Sequence, residues 1–210
     1  MKKQKTSIAF RMNYKTLKQV SDFILALMTI TVLLWLFLLI FISVKLDSKG
    51  PILFQQRRIG KDKRFFIIYK FRTMRIDAPK DTPTHLLPDP NLYITTIGKF
   101  LRKTSIDEIP QLWNILKGDI SFIGPRPALW NQYDLIEERE KYNVNSIKPG
   151  LTGWAQVNGR DELPIPLKAK LDGDYVSEIG LKIDLLCFLK SVYNVLYGKD
   201  IKEGREIKSS

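Results

Sequence analysis

Phe23-Ile24-Leu25-Ala26-Leu27-Met28-Thr29-Ile30-Thr31-Val32-Leu33-Leu34-Trp35-Leu36-Phe37-Leu38-Leu39-Ile40-Phe41-Ile42-Ser43-Val44 contains no charged residue, glycine or proline. As a helix this run extends roughly 33 Å, enough to cover a bilayer core. A cleavable signal peptide has a shorter apolar region and a small-residue cleavage site. The run therefore reads as a membrane-embedded helix, and the rest of the chain as a domain held at a membrane surface.

The flanks bear on how it is embedded. Lys2, Lys3, Lys5, Arg11, Lys15 and Lys18 precede the run, and Lys45, Lys49, Arg57, Arg58, Lys61, Lys63 and Arg64 follow it. Translocating either basic flank is disfavoured. Flank charge thus favours a re-entrant helix that returns to the face it entered. Such a helix needs a break, which Pro or Gly usually supplies. Here only Thr29, Thr31 and Ser43 are available to bend it, by bonding back to carbonyls.

The 210 residues carry 34 Lys and Arg against 22 Asp and Glu, a net charge of +12, so an anionic partner is expected. A single cysteine, Cys187, excludes an internal disulfide and fits a reducing compartment. A single histidine, His85, argues against a histidine zinc site or a Ser-His-Asp triad.

Downstream, Lys49-Gly50-Pro51 signals a turn. Residues 52–59 and 65–72 read as a β-hairpin joined by Gly60-Lys61-Asp62-Lys63. Residues 76–92 hold four prolines and read as a loop. A short helix is expected over 107–117, with Pro110 in its first turn and Asp107 near its N-cap. A polar surface helix is expected over 129–142. Residues 148–160 read as a Gly-rich loop or strand pair with a turn at Asn158-Gly159. A mixed helix is expected over 166–178. Over 181–197 a helix places Leu181, Leu185, Phe188, Leu189, Val192 and Leu196 on one face, as a core helix or, marginally favoured, an interfacial one. The organisation is a membrane segment (1–48), a catalytic domain (49–205) and a tail (206–210). The fold class is α+β, a monotopic membrane protein with a small hairpin and amphipathic helices.

Chemistry concentrates at Thr104-Ser105-Ile106-Asp107-Glu108-Ile109-Pro110-Gln111-Leu112. Two adjacent carboxylates stand where a helix should begin, after Arg102 and Lys103. Asp107 has an ordinary use as an N-cap, and Glu108 as a first-turn acid. Free N–H groups at a helix start also bind phosphate, and a carboxylate kept ionised there can attack phosphorus. Neighbours on a helix diverge by about 100°, so the pair can divide its roles. Arg126, between Pro125 and Pro127, is a guanidinium on a stiff mount, suited to a phosphate or to a surface acid. Arg160, after Asn158-Gly159, belongs to a ligand-approach loop or a plain hairpin. Lys70 and Arg72 share one strand face, at a site or in solvent. Asp184 lies among apolar residues and needs a partner, structural or functional. Together these residues suit phosphoryl transfer on a lipid-phosphate acceptor, with a divalent ion to offset charge.

In chain order, the apolar helix, Lys70-Phe71-Arg72-Thr73-Met74, Ser105-Ile106-Asp107-Glu108, Leu116-Lys117-Gly118-Asp119-Ile120-Ser121-Phe122-Ile123-Gly124-Pro125-Arg126-Pro127 and Lys148-Pro149-Gly150-Leu151-Thr152-Gly153-Trp154-Ala155-Gln156-Val157-Asn158-Gly159-Arg160 resemble the bacterial sugar transferases, the monotopic phosphoglycosyl transferases. The likeness covers about residues 17 to 205. It implies transfer of a sugar-1-phosphate from a UDP-sugar to polyprenyl (undecaprenyl) phosphate, with release of UMP, by a ping-pong route using Mg²⁺. On the same resemblance, Asp107 is the nucleophile that carries the phosphosugar and a metal ligand, and Glu108 is its dyad partner. Lys70, Arg102, Arg126, Arg160 and Asp184 fall on active-site positions. The resemblance further implies contact with membrane lipids, a place on the cytoplasmic face of the bacterial inner membrane, and a start to capsule, exopolysaccharide, O-antigen or glycoprotein glycan assembly. A homodimer is compatible with it, and nucleic acid is not an expected partner. The family breaks its membrane helix at Ser-Pro; the aligned residues here are Leu34-Trp35.

The rival reading is a membrane-tethered basic binding or scaffold protein without catalysis. It predicts salt-sensitive nucleic-acid affinity and indifference to Asp107. The spread of basic residues along the chain weighs against it. No segment reads as a code for the sugar; specificity is expected in residues 76–92 and 161–170.

Overall fold

The computed structural model describes residues 2–82, 87–159 and 163–197, with side chains from residue 14 onward. Its first element, α1 (Lys2–Asp47), is one continuous helix of 46 residues. The stretch Tyr14–Asp47 is long and apolar enough to cross a membrane. The bend that re-entry requires is not present. The Thr31 and Ser43 hydroxyls donate to Leu27 O at 2.9 Å and Leu39 O at 2.8 Å without interrupting the helix. With no Pro or Gly in the run, nothing removes a rung from its hydrogen-bond ladder.

The hairpin forms as expected. Strands β1 (Leu53–Ile59) and β2 (Phe65–Phe71) pair antiparallel, Leu53 opposite Phe71 and Ile59 opposite Phe65. Asp62 and Lys63 carry positive φ in its turn. Then follow α2 (Thr96–Lys103), a 3₁₀ turn at Ile106–Glu108, and α3 (Gln111–Lys117). Next come β3 (Ser121–Ile123), α4 (Tyr133–Glu140), β4 (Gly150–Thr152), α5 (Trp154–Val157), α6 (Ile165–Glu178) and α7 (Leu181–Tyr197). The class is α+β, and the helices expected over 166–178 and 181–197 are α6 and α7.

Two expectations change. Residues 107–117 are not one helix: Pro110 is the N-cap of α3, and Asp107 lies in the separate 3₁₀ turn before it. Pro110 has no N–H to donate to a preceding turn, so the two segments stay distinct. Residues 148–160 are not a strand pair. β4 instead pairs in parallel with β3, Ser121 opposite Gly150 and Ile123 opposite Thr152. Asn158 ends α5 instead of turning a hairpin. The glycines here serve packing: a Cβ on Gly150 would overlap the Gly124 amide nitrogen, and one on Gly153 the Gly124 carbonyl.

Two of the hydrophobic clusters lie between α1 and the domain. Ala26 of α1 packs with Leu112, Ile115 and Ile120, while Ile40 and Val44 pack with Phe71 and Leu101. Two side chains fasten the C-terminal end of α1. Asp47 accepts from the Ile97 N–H at 3.1 Å, satisfying an orphan donor at the start of α2. The buried Arg72 donates to Ser48 O at 2.6 Å, so it is not on a solvated face. Near the middle of α1, Ser121 donates to Asp22 at 2.5 Å. The remaining sides of α1 are bare grease, including Leu34, Trp35 and Leu38. On α7, Leu181, Leu185, Phe188, Leu189, Val192 and Leu196 are likewise exposed, as an interfacial helix would present them.

Candidate active site

The carboxylate pair is placed by an abrupt chain reversal. α2 ends at Thr104, and Ser105 follows in the left-handed region with φ 56°. Its N–H donates to Arg102 O at 3.0 Å, a helix ending that glycine usually provides. The chain then turns through Ile106–Glu108 toward α3. Ile106 and Ile109 pack into the cluster around Leu101 and Val44, which holds the turn from behind.

Three elements converge on this turn. Lys70 at the end of β2 donates to Glu108 Oε1 at 2.6 Å. Arg126, in the loop after β3, donates to the same oxygen at 2.9 Å. Arg102 of α2 is steadied by a 2.8 Å bond from its Nε to Thr73 Oγ1, and its charge reaches Asp107. Asp107 itself is 8% exposed. The structure therefore brings together Asp107, Glu108, Lys70, Arg102 and Arg126.

The two acids are set apart electrostatically. Burial pushes the Asp107 carboxyl up to about 6; Lys70, Arg102 and Arg126 pull it down and Glu108 pushes it up. Burial would also raise Glu108, but Arg126 and Lys70, which bond it directly, hold it well below the usual carboxylate range. Adjacent acids with separated ionisation are suited to separate roles. Glu108 is a fixed anion that organises cations. Asp107 is buried and, centred near 6, is largely ionised at neutral pH.

The other predicted residues lie differently. Asp184 on α7 makes its bonds away from the pair: its oxygens accept from Lys18 at 2.6 Å, Tyr14 at 2.6 Å and Tyr175 at 2.7 Å. This is the partner an acid among apolar residues needs, and it ties α7 and α6 to the start of α1. Arg160 and His85 lie outside the described residues. Cys187 is buried, and burial pushes its thiol up to about 12, which leaves it unreactive.

Several residues that the sequence did not single out support the site. Asn114 is fully buried; it accepts from the Tyr69 N–H at 3.1 Å and donates to Ile67 O at 2.7 Å, fixing β2 and Lys70 against α3. Arg58 donates to Pro127 O at 3.0 Å. Arg139 reaches Arg126 O at 3.0 Å. The sequence marked Arg58 only as one of the basic residues after the apolar run and gave no hint of its partner.

Among the described residues no group of three or more His, Cys, Asp or Glu forms a metal site. Mg²⁺ commonly takes one or two protein carboxylates and completes its shell with water and substrate phosphate. Adjacent acids beside Lys70 and Arg126 fit that mode, with Asp107 the more available because Glu108 Oε1 already takes two cations.

The chain matches the bacterial sugar transferase family model over residues 13–198. It is 40% identical over 164 residues to the uncharacterized sugar transferase EpsL of Bacillus subtilis strain 168, covering 78% of this chain and 79% of that one. It is 37% identical over 186 residues to the UDP-glucose:undecaprenyl-phosphate glucose-1-phosphate transferase of Xanthomonas campestris pv. campestris, covering 85% of this chain and 38% of that one. It is 34% identical over 190 residues to the UDP-N-acetylgalactosamine-undecaprenyl-phosphate N-acetylgalactosaminephosphotransferase of Aeromonas hydrophila, covering 88% and 45%. The chain thus spans most of the Bacillus relative and less than half of the other two. It belongs to the bacterial sugar transferase family.

Proposed function

We propose that this chain is a phosphoglycosyl transferase that moves a sugar-1-phosphate from a UDP-sugar to polyprenyl phosphate and releases UMP. The observation that carries this reading is the Asp107–Glu108 pair, ringed by Lys70, Arg102 and Arg126, in a member of this family. Relatives named as undecaprenyl-phosphate sugar-phosphate transferases support the substrate classes. The chain would act at the cytoplasmic face of the bacterial inner membrane, at the first step of an exopolysaccharide, capsule or related glycan.

In the first half-reaction an Asp107 oxygen attacks the phosphorus that bears the sugar. The bond from that phosphorus to the bridging oxygen breaks, and its electron pair leaves on UMP. An aspartyl-phosphosugar remains. In the second, an oxygen of polyprenyl phosphate attacks the same phosphorus. The bond to Asp107 breaks, giving the polyprenyl diphosphate-linked sugar and restoring the carboxylate. With its ionisation centred near 6, Asp107 is about nine-tenths ionised at pH 7. Arg126 and Lys70, gathered by Glu108, offer charge to the phosphoryl oxygens as they reorganise. Mg²⁺ held by Asp107 and substrate phosphate would neutralise the diphosphate and ease UMP departure.

The test is trapping. A UDP-sugar labelled in the sugar, supplied without lipid acceptor, should leave label on the protein, located on Asp107 by mass spectrometry. Asp107→Asn should leave neither label nor UMP release while protein level and membrane association persist. Turnover without an adduct would favour direct attack by the lipid phosphate in a ternary complex. Full activity of Asp107→Asn would end the proposal. Absence of UMP release with a panel of UDP-sugars would favour the scaffold reading.

A further inference from the structure

Arg126 stands on a loop whose backbone is gripped carbonyl by carbonyl. Pro125 O accepts from the Gly150 N–H at 2.9 Å, Pro127 O from Arg58 at 3.0 Å, and Ala128 O from the Ile59 N–H at 2.9 Å. The carbonyl of Arg126 itself accepts from Arg139 Nη2 at 3.0 Å. Arg139 lies on α4 and is 4% exposed. It is a fork with two loads, because Nε and Nη2 also donate to Asp172 Oδ2 of α6 at 2.9 and 2.6 Å. Asp172 is 1% exposed.

A buried ion pair of this kind adds little to stability compared with apolar side chains of the same size. What it can add is direction. Proline fixes φ on either side of Arg126, and a following proline also restricts Arg126 itself. The torsions left free are those that swing the Arg126 peptide. Arg139 holds that peptide by its oxygen, and Asp172 holds Arg139. A bonded relay then runs Asp172, Arg139, the Arg126 carbonyl, the Arg126 guanidinium and Glu108 Oε1, where Lys70 also bonds. Neither Arg139 nor Asp172 touches the carboxylate pair.

We infer that Arg139 and Asp172 are positioning residues that aim the Arg126 guanidinium at the phosphoryl group. This rests on the phosphoglycosyl-transferase reading for its activity readout, but its central test is a comparison between variants. Removing the relay misplaces Arg126 without removing it, and a displacement near 1 Å can cost on the order of 100-fold in rate.

The experiment is a double-mutant cycle on the full-length protein in detergent or nanodiscs. R139M/D172L replaces the pair with apolar side chains, and R139K keeps the charge but loses the planar fork. Each is made in the wild-type and the Arg126→Ala background. In the wild-type background kcat should fall ~30- to 100-fold for R139M/D172L, with KM for the UDP-sugar within ~3-fold. In the Arg126→Ala background neither change should lower kcat by more than ~2-fold, because the residue they act through is gone. Hydrogen exchange supplies a readout independent of turnover: peptides covering 121–130 should exchange faster, with those of α4 and α6 unchanged. Losses that multiply across the two backgrounds, exchange that rises throughout α4 and α6, or loss of folded protein in both variants would overturn the inference in favour of a pair that only holds the fold. Wild-type protein that releases no UMP, with exchange changes confined to 121–130, would instead fault the proposed reaction and leave the positioning role standing.

Discussion

The Asp107 carboxyl is held near 6, against an ordinary aspartate value of 3.8, chiefly because it is buried. That shift is a statement about stability. A group whose folded-state value is raised stabilises the fold only while protonated; the contribution is complete below about 4 and lost as pH rises through about 6. At pH 7.5 the folded protein therefore carries an ionised, desolvated Asp107. About two units correspond to about 3 kcal/mol at most, and structural relaxation reduces it, so 1–3 kcal/mol is a working range. Asp107→Asn keeps the shape and removes the charge. It should therefore raise thermal stability while abolishing transfer. For a chain of this size 1 kcal/mol moves Tm by roughly 2–4 °C, so a gain of about 2–12 °C is expected. The measurement is thermal unfolding in one detergent, with a chelator present because a bound cation would stabilise the carboxylate. The same pair of proteins is then compared near pH 4, where the gain should vanish. Asp107→Asn that is less stable than wild type at pH 7.5, or stabilised equally at both pH values, would refute the reasoning. A catalytic group that weakens its own fold is the expected signature of a site arranged for chemistry.

Adduct formation should follow the same ionisation and slow as acid protonates Asp107, with Mg²⁺ moving the fall to lower pH than in its absence; stopped single turnovers with labelled UDP-sugar give the profile, and a rate that rises on acidification contradicts it. Asn114→Ala strips partners from the Tyr69 N–H and the Ile67 carbonyl and should destabilise by about 2–5 kcal/mol, read as lost folded protein or a lower denaturation midpoint. Leu189→Glu charges an exposed apolar face of α7, so it should leave UDP-sugar-dependent labelling intact but raise the lipid-acceptor concentration needed for turnover; unchanged acceptor dependence would remove α7 from the lipid-facing surface.

Local pattern was a good guide wherever a local cause decided the structure. Alternating β-formers and a polar tetrapeptide suffice for β1 and β2, and the periodicity of α7 located its ends and its greasy face. The carboxylate pair was found for a reason that proved only half right. Asp107 was expected to cap a helix, whereas Pro110 caps α3 and Asp107 sits in a tighter turn set by left-handed Ser105. No propensity rule places serine there, because the burial of Ile106 and Ile109 fixes that conformation. Partnerships were the least legible. Asp184 visibly needed a cation, but Lys18 lies 166 residues earlier. Arg139 looked like one more charge on a polar helix, and only the approach of α6, 33 residues later, supplies Asp172. Residues 148–160 read as Gly-rich with no cause visible in the sequence; glycines 124, 150 and 153 provide room for one another.

The basic flanks of α1 argued that both its ends stay on one side of a membrane, and the packing supplies a separate reason. A helix that stands across a bilayer alone must expose lipid-compatible surface all round. α1 instead presses one side against the domain from Asp22, bonded to Ser121, through Ala26 on α3, to Ile40 and Val44 beneath Phe71 and Leu101. From residue 26 to residue 44 is about 27 Å along the helix axis, close to the thickness of the hydrocarbon layer. An upright crossing would carry α3 and the end of β2 into lipid with it. There the exposed edges of a two-stranded sheet, the Lys70–Glu108 pair and Arg102 would have no water. One-sided immersion would ask for none of this: the bare faces of α1 and α7 would meet lipid while the cationic site stayed wet. On the proposed reaction a lipid-borne phosphate and a soluble nucleotide sugar would both come to Asp107, and a membrane helix that doubles as a wall of the domain would bring that carboxylate within reach of each.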